Sequence, residues 1–185
     1  MPCSAQAARR ARCASARAAG VLVAHACEDG SVTLDFPAAT GGLGVLLCVV
    51  RDEASVRAAN PDFAALAGVT RPDGIRGVIL TAASSDTDGG VDYVSRCFYP
   101  ADGIPEDAVT SSAHTALAPY WSRRLGRDPL VGLQASARMG VIRTSVHGER
   151  VHLTGHAVTL IEGTLHAGER EAVVTQDSVA ALTAN

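Results

Sequence analysis

Residues Phe98 to His114 read FYPADGIPEDAVTSSAH, and the reading of the whole chain turns on this stretch. Gly103 and Pro105 hold the approach out of helix, whereas from Ala113 the chain becomes AHTALA, a run of helix formers. A helix is therefore expected from about Val109 to Leu125, with Gly126 as the residue that ends it in left-handed backbone. Its first turn carries N–H groups without intrahelical partners, and the positive end of the helix dipole faces the acidic pair Glu106-Asp107. Ser111 and Ser112 are small enough for a ligand to approach the backbone, and Arg96 stands upstream on an expected strand. The stretch reads as an anion site with an acid beside it. A plainer reading stands next to this one, in which Asp107 or Thr110 is simply a helix N-cap.

Composition narrows the function classes. The 185 residues are 47% hydrophobic and 19% charged, in the range of an ordinary globular protein, and suffice for one sizeable core or for one domain plus part of another. All 16 basic residues are arginine, and the net charge is −3. Without a basic stripe beyond residue 17, the electrostatic footprint of a nucleic-acid binder is missing. The longest apolar runs, such as Gly44 to Val50, are too short to span a bilayer. Five cysteines, Cys3, Cys13, Cys27, Cys48 and Cys97, are widely spaced, with no CxxC pair, and imply neither a zinc site nor a disulfide framework. They are expected to be reduced thiols of a cytoplasmic protein. The arginines of residues 1 to 18, followed by the apolar Ala18 to Ala26, have the outline of a signal or transit peptide. That apolar stretch is short and alanine-heavy, and Val21 to Val23 also reads as a strand.

Along the chain the pattern is α+β. Strands are expected at Ser31 to Phe36, Val45 to Val50, Gly77 to Thr81 and Val91 to Phe98. Helical pieces are expected at Ala54 to Ala59 and Asp62 to Ala67, divided by Asn60-Pro61. After the long helix come strand signals at Leu130 to Ser136, Val141 to Val146, Val151 to Leu153 and Val158 to Ile161. Pro119, inside the long helix, removes one backbone donor and predicts a kink or a break. Many strands and one long helix make a mixed β-barrel wrapped around a central helix.

The motifs resemble those of the PhzF-like phenazine-biosynthesis isomerases, which share the diaminopimelate epimerase fold. The resemblance rests on Ser95 to Gly126, with its EDAVTSSAH core, on QASARMG at Gln134 to Gly140, on Arg150 to Gly163, and on LDFPA at Leu34 to Ala38. It implies a fold of two similar halves with the active site between them, and a cofactor-free isomerisation in which a proton leaves one carbon of a small carboxylate and returns to another. On that resemblance Asp107 is the catalytic aspartate that orients substrate and supports proton movement. Ser111 and Ser112, with Thr110 beside them, match the segment that holds the substrate carboxylate. His114, one turn further along the helix, is the histidine best placed to touch ligand, although a histidine in such a position more often has a core or capping role. No metal is implied.

The departures from the family pattern are Ala108 for proline, Ser111 for the glycine before the serine, and Met139 for the first of two glycines. The family's first-half glutamate, in an ET pair, and its GHPT motif have no counterpart here. The resemblance therefore predicts a C-terminal half: residues 1–18 as a poorly ordered or non-homologous N-terminus, residues 19–43 as remnant strands and linker, and residues 44–185 as the barrel domain, with the first half largely missing. Two functions follow as expectations. One is a truncated PhzF-like isomerase acting on a small cyclic or amino-acid-like carboxylate, with a homodimer as the candidate assembly. The other is a catalytically silent remnant, a binding or assembly domain without the family glutamate.

Overall fold

The computed structural model describes residues 10–14, 21–39, 44–70, 72, 74–85, 89–158 and 160. The expected strand at Val158 to Ile161 falls largely outside them. Two compact units divide at Pro37 and again at Val151. In the first, β1 (Arg10–Ala14), β2 (Val21–Ala26) and β3 (Ser31–Pro37) form an antiparallel meander, and β10 (Arg150–His156), from His152 onward, lies beside β3. Thr33 and Thr154 join these two strands through their hydroxyls at 2.7 Å. Val21–Ala26 is thus a strand in the structure, and β1 lies inside the segment that the motifs leave unmatched.

The second unit is a mixed sheet in the order β9 (Gly140–His147), β8 (Leu130–Gln134), β6 (Tyr93–Tyr99), β5 (Gly77–Ala83) and β4 (Val45–Val49). The β4–β5 and β6–β8 pairs are parallel, and β5–β6 and β8–β9 are antiparallel. A short strand, β7 (Ile104–Asp107), pairs with the last residues of β6. Sequence patterning missed β7, because Pro105 and Gly103 obscure so short a run; proline is tolerated there as on other peripheral strands. The long helix, α3, spans Ser111–Leu125 and ends at Gly126 in left-handed backbone, φ 67°.

Central β6 is buried on both faces, and its residues alternate between two layers. Tyr93 and Cys97 pack with Ile79, Leu130 and the Ala113, Leu117 and Trp121 face of α3. Val94 belongs to the opposite cluster, with Ala82 and Val56 of α1 (Glu53–Ala58), and Phe98 on that side meets Phe63 of α2 (Phe63–Thr70). The sheet thus lies between α3 on one side and two short helices on the other. Trp121 ties the layers by donating to Thr81 Oγ1 at 3.0 Å, while Thr81 donates to the Val94 carbonyl at 2.7 Å.

The expected break at Pro119 does not occur, since α3 runs unbroken through it. The carbonyl that a residue at 119 would have engaged belongs to Thr115, four positions back. It accepts instead from the N–H of Ala39 at 3.1 Å. A donor from a segment distant in sequence replaces the one proline lacks, and the helix continues.

Among the described residues no helix is long and apolar enough to cross a membrane, and no group of three His, Cys, Asp or Glu side chains is placed to hold a metal.

One close approach in the sheet concerns Gly132, directly opposite Tyr93. A Cβ there would lie 2.4 Å from the Tyr93 ring. Because the ring is fully buried, it has nowhere to move. Gly132→Ala is expected to destabilise the protein by about 2 kcal/mol or more, read as a lowered urea midpoint with unchanged slope.

Candidate active site

Asp107 closes β7, and three residues later Thr110 opens α3 in extended backbone, φ −112° and ψ 102°. Thr110 occupies the N-cap position but its side chain does not cap. The hydroxyl donates to Asp107 Oδ2 at 2.7 Å and accepts from Gln134 Nε2 at 3.1 Å. Gln134 also receives the Thr110 N–H on Oε1 at 2.8 Å and donates to the Asp107 carbonyl at 2.8 Å. Ser136, two residues on, donates to the Ala108 carbonyl at 2.7 Å. Residues 107–110 are thereby held from β8 and the turn after it. Among the described residues no acceptor caps the N–H groups of Ser111 and Ser112, and both serines are exposed.

A cavity of about 140 Å³ opens here, lined by Asp107, Thr110 and Ser112 together with Val45, Arg76, Tyr99, Asp102 and Ile104. It gathers three of the residues expected from sequence. Ser111, on the first turn, is not part of its wall. His114 is not either: it is fully buried, with Nδ1 2.9 Å from the Tyr93 hydroxyl, while Nε2 has no hydrogen-bond partner among the described residues. Burial holds its pKa down at about 4, with nearby Gln134 acting in the opposite direction. The structure moves His114 from the ligand-touching set to the packing beneath the helix start.

Two further expectations are corrected. Glu106 and Asp107 do not act as a pair, because adjacent residues of a strand face opposite ways. Asp107 lies opposite Cys97, whereas Glu106 receives Arg96 through Nε at 2.7 Å and Nη2 at 2.8 Å. Arg96 also donates to the Ala59 carbonyl at 2.5 Å and the Arg57 carbonyl at 3.3 Å, at the end of α1. The Arg96–Glu106 pair braces the far side of the sheet, and Glu106 in turn raises the pKa of the guanidinium. The cation at the cavity is Arg76, which belongs to no motif and which sequence reading missed. Gln134 lies in the QASARMG motif, but its task depends on contacts 24 and 27 residues away.

A family described as phenazine biosynthesis-like protein (PhzC-PhzF) matches residues 4–163, so the chain belongs to that family. The match starts within the N-terminal segment that the motifs left apart. An uncharacterized isomerase of Pseudomonas aeruginosa is 48% identical over 120 residues, covering 65% of this chain and 43% of that protein. A second from the same organism is 40% identical over 158 residues, covering 74% and 58%. Among solved structures, a PhzF-family protein of Enterococcus faecalis superimposes with a TM-score of 0.65 at 34% identity, covering 74% of this chain and 58% of that one. The chain thus spans about half the length of the curated relatives it matches. The α+β fold is that of the family.

Two predictions follow from the buried groups. Burial pushes the Cys97 thiol up to about 12, so it stays protonated and unreactive. In native protein at pH 8 a maleimide should leave Cys97 unmodified while half-buried Cys27 and Cys48 react; rapid, ligand-protected labelling of Cys97 would place a thiol in the site instead. For His114, the unfolded side chain takes a proton below about 6.5, whereas the folded one stays neutral down to about 4. Stability should be full above pH 7 and fall by about 3 kcal/mol as pH drops through that window. Urea melts between pH 7.5 and 4.5 should show this loss, and His114→Asn should flatten it.

Proposed function

We propose that this chain carries the carboxylate-binding half of a PhzF-like, cofactor-independent isomerase. Its ligand is a small cyclic or amino-acid-like carboxylate, held at the start of α3 by the N–H groups of Ser111 and Ser112, with Thr110 shaping the floor. Asp107 orients the substrate and supports proton movement. The observation that carries the reading is the uncapped first turn of α3 opening beside the Asp107 carboxylate onto one small cavity, in a chain that belongs to this family and resembles proteins named as isomerases. A cytoplasmic homodimer is part of the same proposal.

A second reading has its own support. Proton transfer needs a base within about 3 Å of the proton it takes. Of the ionisable groups lining the cavity, Arg76 and Asp102 engage each other and Tyr99 is held protonated by burial, which leaves Asp107. Binding without turnover is the outcome if a second acid/base must come from elsewhere.

The test has two arms. In an NMR titration with anthranilate, the amides of Ser111, Ser112 and Ala113 should shift first. Ser112→Pro, which deletes a donor in the first turn where proline is tolerated, should weaken binding roughly tenfold. Asp107→Asn should tighten it slightly by removing a like charge. The second arm follows solvent deuterium entering a dihydro-hydroxy-anthranilate. Exchange above buffer that disappears in Asp107→Ala supports the isomerase, binding without exchange supports the silent domain, and shifts clustered away from α3 would sink both.

A further inference from the structure

A carboxylate at the start of α3 meets the negative charge of Asp107, and the half-charge of a helix dipole is a weak counterweight. The cavity contains a stronger one. Arg76 lines the same space of about 140 Å³ as Asp107, Thr110 and Ser112. It stands directly before Gly77, the first residue of β5. A Cβ at Gly77 would lie 2.3 Å from the Phe98 carbonyl oxygen and 2.4 Å from the Tyr99 ring, so the backbone here runs flush against the end of β6. The arginine N–H is anchored on the Gly44 carbonyl at 2.6 Å. Arg76 therefore springs from a rigid base at the cavity wall. The Tyr99 phenol, also in that wall, lies within the fields of both Arg76 and Asp107.

The guanidinium is engaged by Asp102, but in an incomplete manner. Nε donates to Oδ2 at 2.9 Å, and Nη2 lies 2.8 Å from that same oxygen. A fork-to-fork pairing would give one N–H to each carboxylate oxygen. The arginine side chain is 62% exposed and Asp102 33%, a setting in which an ion pair adds little stability. Exchanging Asp102 for a ligand of the same chemistry costs little.

We propose that Arg76 is the cationic arm of the carboxylate site and that Asp102 is its resident competitor, released when ligand carboxylate takes the guanidinium fork. The inference rests on the carboxylate reading of α3 and narrows it. A planar fork selects planar oxyanions, carboxylates above all, over spherical anions such as chloride. It also sets how tightly the site binds, because every ligand must first displace Asp102.

Benzoate titrations of the full chain, read at the amides of Ser111 to Ala113, test this with Arg76→Gln, Arg76→Lys, Asp102→Asn and the Arg76→Gln, Asp102→Asn double variant. Both side chains are at the surface, and dispersed amide spectra will confirm that the variants fold. Arg76→Gln should weaken benzoate roughly tenfold, and Arg76→Lys should restore only part of the loss. Asp102→Asn should tighten binding about two- to fivefold, and that gain should vanish when residue 76 is already glutamine, because it acts through the arginine. An equal gain in both backgrounds, or unchanged affinity in Arg76→Gln, would overturn the inference while leaving the carboxylate site at α3 standing. Absence of any benzoate response in the unaltered protein would overturn both.

Discussion

The site depends on one buried amide. Gln134, wholly inaccessible to solvent, reaches from the end of β8 to the Thr110 N–H, the Thr110 hydroxyl and the Asp107 carbonyl. A carboxamide has two donors and an acceptor in one rigid plane, so it can satisfy both sides of a turn at once. Residues 107–110 are leaving a strand and have not yet joined a helix, so their backbone groups need such a partner from outside. Ser136 extends the hold to Ala108. Gly140 completes it by leaving room for Val109, since a Cβ at residue 140 would lie only 2.3 Å from a Val109 methyl. The start of α3 is in this way positioned by the sheet, and its N–H groups need no side-chain cap to be held in place.

The sheet then sorts the polar residues by face. Asp107 and Cys97 look toward α3, while Glu106, Arg96 and Phe98 look toward α1 and α2. Arg96 sits 5.0 Å from the Phe98 ring and collects carbonyls at the end of α1, so one cation braces helix, strand and ring together. The same pleat that exposes one carboxylate to the cavity sends its neighbour into a structural ion pair. Beneath the site, buried His114 and Tyr93 share a hydrogen bond and Tyr93 stacks on Trp121. The first turn of α3 therefore rests on an aromatic floor that cannot readily give.

The departures from the family pattern can be placed physically. Met139, where the pattern has glycine, adopts φ 54°, a backbone that strains any residue with a Cβ. Its N–H is held by the Ser136 carbonyl and hydroxyl, and its side chain is 55% exposed, so the turn survives the substitution. Ser111, where the pattern has glycine, points to solvent rather than into the cavity wall, which leaves the backbone approach open. Ala108 keeps its carbonyl on Ser136.

By itself the sequence determined the α+β class and the start and end of α3, and it directed attention to the stretch between Asp107 and Ser112. These follow from near neighbours: helix N–H groups without partners, Gly126 in left-handed backbone, and alternation along β6 and β8. Motif resemblance added the family. What only the tertiary structure decided is which side chains share the cavity. Arg76 joins Asp107 from the residue before β5, Glu106 leaves it for Arg96, His114 turns into the core, and Ala39 supplies the donor that carries α3 through Pro119. Each of these outcomes depends on strand face and pairing register over tens of residues, a quantity fixed by burying the whole sheet and not by any local run of the chain.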